Sequence, residues 1–217
     1  MKPILFNTEM VKAILNNSKT TTRRVIKPHY RDGESGFQVV TRRNGEFVRV
    51  EKVDENECGI FADGTEHYVN PPYLPGDILY VRETYSEIEI VGHPETRKRY
   101  YRADGNYPDC IPWRPSIFMP KEAARIFLKV TDVKAERLQD ITNAGAFAEG
   151  CNGRGLGPNS GCDGSLSTEG YDFSIEKFET IWDSTIKKSD IGRYGWDANP
   201  WVWVISFKKL EDNFEEK

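Results

Sequence analysis

The stretch Trp201-Val202-Trp203-Val204-Ile205-Ser206-Phe207 constrains this chain more than any other. Six of its seven residues are apolar, so a strand built from it is apolar on both faces and needs cover on each side. Trp201 and Trp203 fall on one face, Val202 and Val204 on the other, and both tryptophans read as core. The segment predicts the centre of a sheet with packed layers above and below it.

The remaining segments fit around such a sheet. Asn7 or Thr8 can cap a short helix whose Met10, Val11, Ile14 and Leu15 share one face. It should end at Asn16-Asn17, because asparagine tolerates the left-handed conformation. Residues 37–53 alternate loosely around Asn44-Gly45, a hairpin signal. The rigid turn from Pro71 to Asp77 should open a strand from Ile78 to Glu83. Tyr100 to Ala103 reads as a further strand, and Trp113 to Pro120, with two prolines, as irregular. From Arg125 to Val133 the side chains alternate, with Ile126, Leu128 and Val130 on one side. Thr142 can cap a helix through Ala148 that Gly150 closes, and Ile175, Phe178, Ile181 and Trp182 mark an amphipathic helix. Five to seven strands and about three helices, without regular βα alternation, predict an α+β fold: one domain over residues 1–217, built as a small mixed β-barrel with peripheral helices. Loop insertions are expected near 30–70 and 151–170, the latter exposed and mobile because it is rich in Gly, Ser and Asn.

Composition narrows the function classes. With 38% apolar and 29% charged residues and no long apolar run, no membrane partner is expected. No cationic-then-apolar leader is visible, which makes a cytoplasmic location the expectation. Cys58, Cys110, Cys151 and Cys162 contain no CxxC pair, and only His29, His67 and His93 accompany them; no metal and no cofactor are expected. The thiols read as reduced, or Cys151 and Cys162 pair. Gly153-Arg154-Gly155-Leu156-Gly157 lacks the Lys-Ser/Thr of a phosphate-binding loop and is rejected as one. The net charge is −4, yet residues 18–49 carry eight Lys or Arg against three Asp or Glu. Local basic strips of this kind suit nucleic acid or a phosphorylated ligand, and equally suit solvated strand edges.

The chemistry-bearing stretch is Asn16-Asn17-Ser18-Lys19-Thr20-Thr21-Thr22-Arg23-Arg24. A threonine hydroxyl is a poor nucleophile until a base takes its proton. Lys19 can act as that base only if burial or a neighbouring cation, such as Arg23, Arg24 or Arg82, lowers its pKa from about 10.4. On a helical turn Lys19 and Thr22 share a face; in an extended segment they do not. The plainer alternative is that Lys19 to Thr21 satisfy the last carbonyls of the first helix. Arg82 beside Glu83 is either an ion pair in the sheet or a base-edge contact. Trp113 and Arg114, in a proline-fixed loop, suit stacking on a base or closure of the barrel end. Lys121 either reaches phosphate or is an ordinary first-turn residue.

Taken in order, KxxTxR at Lys19, Thr22 and Arg24, Pro75-Gly76-Asp77 leading into a strand, Ala148-Glu149-Gly150, and the closing WVWVISF strand resemble the ASCH domain, a relative of the PUA barrel. The longer runs VRETY, WRPSIFMPKEAARIFL and WDANPWVWVISF resemble the larger phage and prophage members of that family. The resemblance spans about residues 4–210, with Asn17 standing where the motif usually has glycine. It implies a nucleic-acid or modified-nucleotide binding module whose cleft takes RNA, DNA or a modified nucleoside through Arg23, Arg24, Arg82, Trp113, Arg114 and Lys121. It also implies an alternative, an amidohydrolase of N4-acylated cytidine with Lys19 as base, Thr22 as nucleophile and Glu149 as acid. A third reading is a phage structural or regulatory protein with a vestigial pocket and a protein partner.

Overall fold

The computed structural model describes residues 1–26, 38–43, 46–49, 68–69, 71–90, 93–105, 107–108, 110–151 and 169–211. In chain order the elements are β1 (Lys2–Leu5), α1 (Thr8–Leu15), β2 (Thr21–Val25), β3 (Gln38–Arg43), β4 (Glu46–Arg49), β5 (Tyr68–Val69), β6 (Ile78–Arg82), β7 (Tyr85–Ile90), β8 (His93–Tyr101), β9 (Phe127–Arg137), α2 (Asn143–Ala148), α3 (Glu169–Thr185), α4 (Ile191–Tyr194) and β10 (Trp201–Lys209), with short 3-10 turns between them. The fold is mixed α+β.

The main sheet has the order β1-β6-β9-β10-β2. Its first pair is parallel and the others antiparallel. β10, apolar on both faces, lies inside the sheet between β9 and β2 as its pattern requires. Trp203 and Ile205 join one core with Ile4, Val11, Leu79 and Leu128, under α1. Val202 and Val204 join a second core with Leu138, Ala146, Phe178 and Trp182, under α2 and α3. The two layers follow from the two apolar faces of one strand. The end strands β1 and β2 are not paired with each other; instead an Arg24 Nη2 on β2 donates to the Leu5 carbonyl at 2.7 Å.

Two smaller sheets accompany this one, β4-β3-β5 and β7-β8. The hairpin expected within residues 37–53 is present, with Arg43 opposite Glu46; its Asn44-Gly45 turn lies outside the described residues. So do most of the 151–170 segment, the Gly153–Gly157 run, His29, His67, Cys58 and Cys162. Cys151 itself carries a free thiol.

No strand was expected at Lys2–Leu5, Thr21–Val25 or Tyr85–Ile90, and the expected strands shift at their ends. β8 stops at Tyr101 and Arg102 begins a 3-10 turn, because β7 starts at Tyr85 and offers no partner beyond it. The Arg102 N–H turns to the Thr84 carbonyl. β9 runs on to Arg137, since β10 supplies partners as far as Trp201 opposite Arg137.

Candidate functional site

The first helix ends as its asparagines predict. Asn17 has φ 61°, and the Ser18 and Lys19 N–H groups both fold back onto the Ala13 carbonyl. This sharp exit sends the chain directly into an extended path: Lys19 forms an isolated antiparallel bridge with Glu149, and β2 starts at Thr21. Of the two arrangements open to Lys19 and Thr22, a shared helical face or an extended segment, the structure takes the extended one. Helix propagation loses to the sheet, where Thr22 pairs with Ile205 and the Phe207 N–H donates to the Thr20 carbonyl.

The partner side comes from α2. The Thr142 hydroxyl accepts the Gly145 N–H and caps the helix, which ends after one and a half turns at Glu149 and Gly150. Gly150 has φ +86°, and a Cβ there would stand 2.9 Å from the Cβ of Ala13. Glycine is thus required twice, for the left-handed bend and for the approach to α1. That approach carries Glu149 to Lys19 across 130 positions of sequence.

Four charges meet there. Lys19 Nζ donates to Glu149 Oε2 at 2.5 Å and to the Glu149 carbonyl at 3.0 Å. Arg23 Nη1 reaches Glu149 Oε1 at 3.1 Å, while its Nη2 and Nε hold Glu136 Oε1 at 2.6 and 3.2 Å. Lys134 binds the other Glu136 oxygen at the surface. The side chains of Lys19 and Glu149 are 0% and 5% exposed, so each depends on the other for compensation. Glu149 does not sit in an apolar wall, as an acid awaiting a proton would: both its oxygens already accept from cations.

Beside this cluster opens a cleft of about 380 Å³. Its walls are Phe6, Asn7, Thr8 and Met10 at the start of α1, Phe178, Ile181, Trp182 and Thr185 on α3, and Thr84, Pro115 and Ser116. Thr22, Arg23, Arg24 and Glu149 complete the lining. Lys19 does not reach it, lying behind Glu149 with its ammonium 5.8 Å from the Phe6 ring centroid. Thr22 is a buried residue whose hydroxyl has no hydrogen-bond partner among the described residues. Arg24 lies 5.4 Å from the Phe6 ring centroid and uses one donor on Leu5. Loss of water pulls its pKa below the ordinary arginine value, with Tyr73 and Glu149 acting in the opposite sense. Near the cluster lies a second nucleophile, Cys151, but burial pushes its thiol up to about 11, which leaves little thiolate at neutral pH.

The other expected residues divide clearly. Arg23 is in the site, as a clamp that holds Glu136 and Glu149 through three hydrogen bonds. Arg82 does not line the cleft; its Nη2 donates to the Ile117 carbonyl. Nor does it pair with Glu83, which accepts Arg125 Nε and Nη2 at 2.9 and 3.1 Å. Trp113 is also outside the cleft, because Tyr107 packs 5.4 Å from its ring and Arg102 5.0 Å. Arg114 is exposed and bridges Tyr85 through its backbone, and Lys121 is exposed at the start of a 3-10 turn. No group of metal-ligating side chains occurs among the described residues, and no described helix is long and apolar enough to cross a membrane.

No family model, curated protein or solved structure matches this chain. The site therefore rests on its own geometry.

Residues that sequence reasoning missed are Glu136 and the ring walls Phe6, Phe178 and Trp182. The two α3 aromatics carry a visible signal, the helical spacing, yet that signal does not separate a cleft wall from core. Glu136 carries none, since its role depends on Arg23 in another strand.

Proposed function

We propose that the cleft binds one nucleobase, free or within a nucleic acid, and that the chain is an ASCH-type module of PUA-like barrel form. The observation that carries this reading is the cleft lining: three aromatic walls, Phe6, Phe178 and Trp182, around a small polar set of Thr22, Arg24, Asn7 and Glu149. A cavity of this size holds a base or nucleoside, with flat apolar surfaces for the ring and a few fixed polar groups for its edge. Arg24 has donors left over for a carbonyl or phosphate oxygen. The approach of the two end strands through Arg24 and Leu5 supports the barrel reading.

One observation favours a second reading, hydrolysis of an acylated base. Thr22 lines the cleft beside a buried Lys19–Glu149 pair, and its hydroxyl has no hydrogen-bond partner among the described residues. In this reading Thr22 Oγ1 adds to the acyl carbon and its proton passes to the Lys19–Glu149 pair. The C–N bond breaks, the amine leaves with that proton, and water then cleaves the Thr22 ester. Glu149 is the member of the pair that faces the substrate, so it relays the proton and Lys19 acts through it.

Titration with cytidine and N4-acetylcytidine, followed by tryptophan fluorescence and by chromatography, tests both. Saturable binding that weakens about tenfold or more in Arg24→Ala is expected, from loss of a charge-assisted contact. Cytidine release by wild type that disappears in Thr22→Val selects hydrolysis. Absence of binding by either nucleoside and by the four common mononucleotides would remove the base-pocket reading.

A further inference from the structure

The segment Arg114 to Lys121 forms one lip of the cleft: Pro115 and Ser116 line it, and the chain then turns outward. Ile117 is 58% exposed and Phe118 69% exposed, the latter the most exposed large apolar side chain described. Exposed rings are usually on loose chain, but this one is held firmly. Phe118 N–H donates to the Pro115 carbonyl and Met119 N–H to the Ser116 carbonyl. Tyr85 Oη reaches the Phe118 carbonyl and Arg82 the Ile117 carbonyl. Met119, 1% exposed, anchors the segment in a small core with Tyr85 and Ala123, and its sulfur accepts the Glu83 N–H.

The backbone thus fixes the place of a side chain that is mostly left in water. Charge adds direction. From Trp113 to Lys121 the chain carries two cations and no carboxylate, in a protein of net charge −4. A rigid exposed ring with cations beside it and a base-sized cleft next to it matches the two needs of a single strand: a stacking surface and phosphate contacts. Ser116 and Phe118 are two residues apart, so their Cα atoms are separated by about 7 Å at most.

We propose that this lip is a docking platform for a single-stranded polynucleotide, with Phe118 stacking on the nucleotide next to the one in the cleft and Arg114 on the intervening phosphate. The proposal rests on the reading of the cleft as a base pocket and names its substrate class as a strand rather than a free nucleoside. Stacking and phosphate pairing do not sense a 2′-hydroxyl, so RNA and DNA strands are expected to bind alike.

The test is fluorescence anisotropy with labelled single strands of about eight nucleotides, beside titration of the same proteins with mononucleosides. Wild type is expected to bind the strand more tightly than the nucleoside, with affinity falling as salt rises. Phe118→Ala should weaken strand binding about 5- to 100-fold while nucleoside affinity is unchanged, and Phe118→Tyr should restore it. Arg114→Ala should lower the slope of log affinity against log salt by about 0.7. A strand that binds no tighter than the nucleoside, or as tightly to Phe118→Ala as to wild type, overturns the platform and returns the patch to a protein partner. Loss of nucleoside binding as well would be a failure of the pocket itself.

Discussion

Glu149 and Glu83 are both carboxylates taken out of water, 7% and 1% exposed, and both hold cations with each oxygen. Their surroundings differ in one respect that decides their use. Glu83 is sealed. Arg125 covers both its oxygens, Asp104 takes the same arginine at 2.6 Å, and the Tyr101 ring centroid lies 4.0 Å from the guanidinium. Glu149 is held by two separate cations, Lys19 and Arg23, and it still forms part of a cleft wall. A buried charge closed on all sides is a structural joint. The same charge open on one side, on a cleft that Thr22 also lines, is available to a ligand.

Removing one cation from each cluster gives the largest test of this contrast. Arg125→Ala leaves Glu83 buried with no cation among the described residues, and should cost about 3–5 kcal/mol in urea unfolding. Lys19→Ala leaves Arg23 on Glu149 and should cost less, about 2–3 kcal/mol. Ligand binding in the cleft should fall in Lys19→Ala and persist in Arg125→Ala wherever that variant remains folded. Equal losses of binding would abolish the distinction drawn between the two carboxylates.

A pH series sharpens it. Burial raises the pKa of Glu83 above the ordinary 4.5, against the lowering effect of Arg125. The folded state therefore holds this proton more tightly than the unfolded chain does. The stability contributed is fully present below about 4.5 and is lost as pH rises through the folded value. Relative to Glu83→Gln, wild-type unfolding free energy should decline as pH rises above about 4.5. Arg125→Ala removes the lowering influence, so the decline should extend to higher pH. A difference between wild type and Glu83→Gln that grows over this range would mean that the arginine outweighs burial.

The smallest effect is expected at the cap that places Glu149. Thr142→Ala removes the acceptor for the Gly145 N–H and should cost about 1 kcal/mol. Because Glu149 follows directly from that short helix, cleft affinity should fall with it, while the Glu83 cluster, which α2 does not supply, should be unaffected.

Much of the scaffold was legible because it depends on local periodicity. The double apolar face of β10, the alternation of Ile126, Leu128 and Val130, the left-handed Asn17 and the cap at Thr142 are each written within a few residues. Lys19, Thr22 and Glu149 were also visible, as chemical types in an ordered pattern. What they do together was not. Their arrangement depends on Gly150 admitting α2 against Ala13, and on β2 pairing with β10, contacts made between distant parts of the chain.

The same limit explains the misplaced residues. Trp113 and Arg82 had the right chemistry for a ligand, but Tyr107, Arg102 and the Ile117 carbonyl occupy them. Phe118, to which no role was assigned from sequence, is the most exposed ring among the described residues. By itself the sequence determined the strands and helices with strong local periodicity, which face of each is apolar, and which residues carry chemistry. The tertiary structure alone decided which charges are neutralised, which hydroxyls lack a partner among the described residues and which rings are exposed. Those outcomes are sums of desolvation and pairing over neighbours from many parts of the chain, and no local pattern contains that sum.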